Sequence, residues 1–241
     1  MSIGFDPARF AALAAVEQEH FWFVARARLI AWAQRRHFPG ARSFLEIGCG
    51  TGNVLAALQG GLERVVGTEF HAEGLAFAAR RLPRAELLQM DARRMPFRAE
   101  FDVVGAFDVI EHIEEDEEVL RGMHAACRPG GGVMITVPQH AWLWSARDEI
   151  AQHRRRYARR ELFAKLAAAG FRRPWATSFV SLLLPLMALS RRRKKVACAE
   201  LEVGRAANRV LGAAMGLERA LIRAGVRFPA GGSLLAVAHR E

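Results

Sequence analysis

The chain has 241 residues, 51% hydrophobic and 25% charged, which is long enough to bury a sizeable core and too apolar for wholesale disorder. Lys and Arg outnumber Asp and Glu, 35 to 25, giving a formal charge of +10 that ranks anionic partners only weakly. Three cysteines, Cys49, Cys127 and Cys198, have no metal-ligand spacing and make no disulfide framework, which excludes a small stapled secreted domain and suits a reducing cytoplasm. The N-terminus carries Asp6 and Glu17 and lacks a basic-then-apolar signal pattern. The longest apolar stretch, residues 179–189, is interrupted by Ser181 and Pro185 and is too short to span a bilayer.

Taken in chain order, Pro7 opens a predicted helix over 7–19, and a second is predicted over 23–36 before the Pro39-Gly40 break. Between them lies His20-Phe21-Trp22-Phe23, followed by Arg26 and Arg28, an aromatic cluster suited to packing or to a lid over a ligand. A buried strand over 43–47 then runs through Glu46 into Gly48-Cys49-Gly50-Thr51-Gly52 and a helix over 52–59. Glycines there allow a ligand close to the backbone, and the helix N-terminus favours anionic ligand groups. No Lys-Ser/Thr pair follows, so the loop is no P-loop, and the alternate glycines do not match the dinucleotide pattern G-x-G-x-x-G. A second strand, 64–68, ends at Glu69, where a carboxylate can accept from both hydroxyls of a ribose. Phe70 follows it, and a helix is predicted over 73–81.

A third strand, 85–89, leads to Met90-Asp91-Ala92, and a fourth, 101–107, ends at Phe107 before Asp108-Val109-Ile110-Glu111-His112. The acid-rich run at 114–118 suits the positive end of a helix dipole and needs no ligand. Arg128-Pro129-Gly130 turns into a fifth strand over 133–138. The segment after it is rich in chemistry: His140, Trp142, Trp144 and Asp148, then His153-Arg154-Arg155-Arg156-Tyr157. Trp142 and Trp144 can wall an apolar or aromatic acceptor, and His112, His140 and His153 have the pKa class of a general base. A helix over 160–169 and a sixth strand over 172–179 follow, and the last strand, 231–239, comes only after some fifty interposed residues. Within these, the apolar run 179–189 adjoins Arg191-Arg192-Arg193-Lys194-Lys195, and a helix is predicted over 198–224. Apolar and basic stretches side by side suit membrane-surface contact, and equally a buried or dimeric helical hairpin through 179–224; nucleic acid is disfavoured for want of an aromatic-and-basic alternation.

The run 44–53 resembles motif I of the class I S-adenosylmethionine-dependent methyltransferases, and Glu69, Asp91, Glu111-His112 and the Arg-Pro-Gly-Gly turn agree with it. The resemblance covers about residues 20–178 and 232–239. It implies a single α/β domain over 1–241, a doubly wound seven-stranded Rossmann-like sheet with an N-terminal helical lid (1–38) and a helical insertion (180–230) between the last two strands. It implies S-adenosyl-L-methionine as methyl donor, S-adenosyl-L-homocysteine as product, and no metal. Cofactor contacts fall on Glu46, Gly48, Cys49, Gly50, Gly52, Glu69, Phe70, Met90, Asp91, Ala92 and Phe107, with Asp91 meeting the adenine amino group. The His-Phe-Trp-Phe segment and the later Asp, His-x-Arg-Arg-Tyr pattern are similar to a bacterial small-molecule branch that includes quinone-biosynthetic O-methyltransferases. On that likeness, acceptor contacts are expected from Phe21, Trp22, Arg26, Trp142, Trp144, Arg156 and Tyr157, and the base among His153, His112 and His140, His153 being favoured. No Asn/Asp-Pro-Pro-Tyr/Phe run follows the fourth strand, which argues against amino-directed DNA and protein-glutamine methylation. The expected reaction is methylation of a small lipophilic or aromatic acceptor, at oxygen by preference and otherwise at carbon or nitrogen; a binder of the cofactor without turnover is the competing class. The expected location is cytoplasmic, or peripheral to the inner face of the membrane.

Overall fold

A computed structural model describes residues 6–192 and 203–241. Among the described residues seven strands form one sheet in the order β3-β2-β1-β4-β5-β7-β6. These are β1 (Ser43–Ile47), β2 (Arg64–Glu69), β3 (Glu86–Gln89), β4 (Phe101–Phe107), β5 (Cys127–Pro138), β6 (Arg172–Phe179) and β7 (Ser233–His239). The first five are parallel, and β7 inserts antiparallel between β5 and β6. Strand order reverses between β1 and β4, which opens a crevice at their carboxyl ends.

The central strands are apolar on both faces because helices cover both, and successive side chains go to opposite cores. Phe44 packs with α2 (Phe21–His37), α3 (Asn53–Leu58) and α9 (Arg205–Arg223), through Leu29, Ile30, Leu55, Met215 and Ile222. Its neighbours Leu45 and Ile47 face α5 (Asp116–Ala126) and α7 (Arg159–Ala168), through Leu120, Met123, Leu162 and Leu166. Three acids in the first turn of α5, Asp116, Glu117 and Glu118, complement its dipole as the sequence led one to expect.

The elements depart from the sequence reading mainly at their ends. The first helix, α1, is confined to Arg9–Val16, and α2 begins two residues early because the His20 side chain accepts from the Trp22 N–H at 3.3 Å. β5 begins at Cys127, whose first residues extend the ladder to Phe101 across a bulge. The insertion comprises α8 (Leu184–Arg192) and α9, so the helix predicted over 198–224 is observed from Arg205; Arg193, Lys194, Lys195, Cys198 and Leu201 lie outside the described residues. A buried carboxylate ties α9 to the turn that leads into α8. Glu218, 1% exposed, accepts from the backbone N–H groups of Val180, Ser181 and Leu182 at 2.7, 2.6 and 2.8 Å, capping the chain as it enters α8.

Candidate active site

A cavity of about 330 Å³ lies over the carboxyl ends of β1, β2 and β4, within the range that small-molecule sites occupy. Its floor is the turn after β1. Gly48, Gly50 and Gly52 all take positive φ (+64°, +53° and +76°), which is why this turn is written in glycine. A Cβ on Gly48 would meet Val109 at 2.6 Å, so the backbone passes directly under the strand 4 loop. Gly52 serves the fold instead: it is the N-cap of α3 and lies against Leu82 and Ala78, and it does not line the cavity.

One acid grips the turn and a second lines the cavity beside it. Glu69 Oε2 accepts from Gly50 N–H and Oε1 from His71 N–H, both at 3.0 Å, so its carboxylate is oriented by backbone at the end of β2. Glu46 lines the same cavity with its Oε2 buried and unpartnered. Burial outweighs the attraction of Arg26, and the nearby Glu69 adds repulsion, so the Glu46 carboxyl is pushed up to about 8. Across the floor, Asp91 is paired with Arg93 at 2.7 Å, and that hydrogen bonding holds its carboxyl below the usual range in spite of partial burial. Cys49, Phe70, Met90, Ala92 and Phe107 complete this half of the lining.

The roof comes from the N-terminal helices. Phe10, Leu13 and Glu17 of α1 and its C-terminal edge, and Trp22, Phe23 and Arg26 of α2, all face the cavity. Arg26 is 6% exposed; its Nη2 pairs with Asp108 Oδ2 at 2.6 Å and donates to the Phe107 carbonyl at 2.8 Å, and its guanidinium lies 5.2 Å from the Trp22 ring. Asp108 is held at φ +58°, an uncommon conformation for a non-glycine residue, at the point where β4 ends. Glu17 was not singled out from sequence. It is buried, accepts from Thr51 Oγ1 at 2.6 Å and pairs with Arg81, tying α1 to the glycine turn and α4 (Ala72–Arg81). A helix-terminal acid 34 residues from its partner carries no local signal.

The far wall holds His112 and His153, whose ring centroids are 4.7 Å apart, edge to face. His153 Nδ1 lies 2.9 Å from Asp148 Oδ1. Asp148 is 1% exposed and also binds Arg156 (2.7 Å) and Arg191 (3.0 Å); burial would raise its carboxyl, but His153 and the two arginines hold it well below the usual range. Behind His112 sits Glu111, fully buried, with neither carboxylate oxygen paired to another residue. Burial first, then the adjacent Asp108, pushes the Glu111 carboxyl well up. Among the described residues, Glu111, His112 and His153 bring one ligand atom each within 4.8 Å of one another, a carboxylate and two imidazoles that could hold a divalent metal. Sequence spacing could not show this set, since His153 comes 41 residues after His112.

The remaining candidates lie elsewhere. Tyr157 is fully buried, its hydroxyl donating to Asp116 Oδ2 at 2.6 Å, and Arg155 and Lys165 pair with the same carboxylate. Arg156 reaches Asp148 and the Gln139 carbonyl (3.0 Å) and does not line the cavity. The His-x-Arg-Arg-Tyr run therefore sends only its histidine to the cavity, while the other three side chains lock the segment in place. Phe21 sits in a separate groove between α2 and α9, its N–H donating to Asn208 at 2.8 Å. His140 lies outside the cavity, and so do Trp142 and Trp144, which are 63% and 39% exposed.

Residues 45–135 match a family model described as a methyltransferase domain. Over 157 residues the chain is 28% identical to a probable S-adenosylmethionine-dependent methyltransferase of Mycolicibacterium smegmatis, a span of 64% of this chain and 60% of that one. It is 40% identical over 98 residues to phosphatidylethanolamine N-methyltransferase of Cereibacter sphaeroides, covering 38% of this chain and 48% of the relative. The fold is shared with a Thermotoga maritima S-adenosylmethionine-dependent methyltransferase described as a possible histamine N-methyltransferase, with a TM-score of 0.63 and 15% identity over 97% and 95% of the two chains. The matched stretch runs from β1 through most of β5 and so contains the glycine turn, Glu69, Asp91 and the strand 4 loop; the likeness to a methyltransferase domain is carried by this stretch, and the chain spans 60% of the length of the Mycolicibacterium smegmatis relative.

Proposed function

We propose that the protein transfers a methyl group from S-adenosyl-L-methionine to a small lipophilic or aromatic acceptor, at oxygen, with His153 as the base. The carrying observation is that one cavity unites the glycine turn, Glu69 and Asp91 with the Asp148–His153 pair on its opposite wall. The residues present fit the donor: Gly48 leaves no space for a side chain, Glu46 offers a buried oxygen without a partner, and Glu69 is oriented by backbone for a diol. Glu46 and the turn would hold the methionyl end, Glu69 the ribose and Asp91 the adenine amine. When bound, the donor supplies an electrophilic methyl group on a good leaving group.

The protein's own task is then alignment and proton removal. A carboxylate at Nδ1 takes the imidazole N–H of His153 and leaves Nε2 as the basic nitrogen for an acceptor hydroxyl. Arg156 and Arg191 keep Asp148 ionised and fixed, which fixes the ring. α1 and α2 would close over both ligands, with Trp22 and Phe23 forming an apolar wall. A homologue of the quinone-biosynthetic branch would satisfy these features.

A second reading is N-methylation, favoured by the relative from Cereibacter sphaeroides and by the acids Asp108 and Glu111 near the acceptor wall. Calorimetry with S-adenosylhomocysteine, followed by transfer of labelled methyl to panels of phenols, quinols and amino-lipids, tests both. Absence of cofactor binding overturns the whole proposal. Transfer to amines alone replaces the first reading with the second, and binding without transfer to any class favours a non-catalytic binder.

A further inference from the structure

Most of the large apolar side chains that the described residues leave exposed lie in the insertion between β6 and β7. On α8 and the turn before it, Leu182, Leu186 and Leu189 are 41%, 54% and 53% exposed and recur at the four- and three-residue spacing of one helix face. On α9, Val210 is 69% and Leu217 57% exposed, with exposed Ala206, Ala213 and Ala220 in the same row. Glu218 of α9 binds the backbone of Val180, Ser181 and Leu182 and so ties the turn that leads into α8 to the middle of α9.

Arginines border this apolar surface. Arg205, Arg209, Arg219 and Arg223 follow one another along the flank of α9, and Arg28 of α2 faces Arg219 across a groove. The only acid of α9, Glu218, is buried and committed to its backbone donors. Among the described residues none of these five arginines forms an ion pair. Glu19 lines the same groove without an ion pair among the described residues, and burial together with the charges of Arg28 and Arg223 lowers Arg219.

We infer that the exposed face of α8 and α9 docks on an anionic membrane surface, its leucines and Val210 entering the interfacial region while the arginine flank meets lipid phosphates. The pairing of an apolar row with uncompensated cations is what interfacial helices use, one part supplying burial and the other attraction. A second copy of the chain fits poorly: a two-fold contact through this face brings unpaired arginines toward their equivalents. No described helix is long and apolar enough to cross a membrane, so the attachment is to the surface. The inference needs no step of methyl transfer, and a lipophilic acceptor would reach the protein from the same phase.

The test is co-sedimentation of the full chain with phosphatidylcholine vesicles containing about a third phosphatidylglycerol, against pure phosphatidylcholine vesicles, at low and high salt. Binding to the anionic vesicles at least tenfold stronger than to neutral ones, weakened by salt, is expected. V210S/L217S, and separately R209Q/R219Q, should each reduce it about tenfold while S-adenosylhomocysteine affinity and melting temperature stay unchanged, since all four side chains sit at or near the surface. No vesicle binding, or binding by both variants as strong as that of the unsubstituted chain, overturns the inference. So does sedimentation velocity showing a dimer that V210S/L217S dissociates, which would assign the face to a second copy. Loss of cofactor binding in the parent chain would instead count against the methyl-transfer reading alone.

Discussion

Glu46 offers a test of the cofactor site that depends on pH. Its carboxyl is raised to about 8 by burial, so in the ligand-free protein it carries a proton at neutral pH. Binding a methionyl ammonium favours the carboxylate, and the proton must leave. At about pH 6.5, removing it costs about 2 kcal/mol, so affinity there should be roughly thirtyfold weaker than with Glu46 already ionised. Affinity for S-adenosylhomocysteine should therefore rise from pH 6.5 toward 8, with close to one proton released per ligand at the acid end. At more alkaline pH the ligand's own amino group deprotonates and affinity should fall again. Calorimetry in two buffers of different ionisation enthalpy counts the protons directly. Glu46→Gln removes the titrating group and should flatten the acid limb, leaving the alkaline fall. A wild-type affinity that is level from pH 6.5 to 8 with no proton release refutes the argument, as does an equal acid limb in Glu46→Gln.

Substitutions at three further positions separate binding from scaffolding. Glu69→Ala removes an oriented carboxylate and frees the Gly50 and His71 N–H groups; cofactor affinity should fall by about 3 kcal/mol, roughly a hundredfold, as read by calorimetry. Tyr157→Phe keeps the buried ring but loses its bond to Asp116, so stability should drop by about 1.5 kcal/mol, roughly 3–6 °C in melting temperature, with cofactor affinity unchanged. A large rise in acceptor KM in that variant, with the melting point unmoved, would return Tyr157 to the binding site. Glu218→Ala strands three backbone donors and should cost about 3 kcal/mol in urea unfolding, whereas Glu218→Gln, which retains an acceptor, should cost about half as much. Equal losses in the two would show that packing, and not capping, is what Glu218 provides.

The sheet and the floor of the cavity were legible in the sequence because their signals are local. An apolar run meeting Gly48, Gly50 and Gly52 needs only the chain's own sterics to become a strand and a turn, and Glu69 and Asp91 follow from where the next strands stop. The acid-led helix and the late, separated last strand were readable on the same terms. Even the His-x-Arg-Arg-Tyr run stood out as a pattern. Its division of labour did not, because Tyr157 is spoken for by Asp116, 41 residues earlier, and Arg156 by Asp148.

Tertiary structure decided the rest by bringing distant residues together. It set Glu17 on Thr51, closed Arg26 on Asp108, and gathered Glu111, His112 and His153 at one wall. It also turned Trp142 and Trp144 away from the cavity and left Val210 and Leu217 exposed among unpaired arginines. Residue type and spacing along this chain determined the strands, the glycine turn and the strand-end acids that floor the cavity, because these act where they stand. Which side chains meet across the cavity, and which apolar face stays uncovered, depended on how the helices pack on the finished sheet.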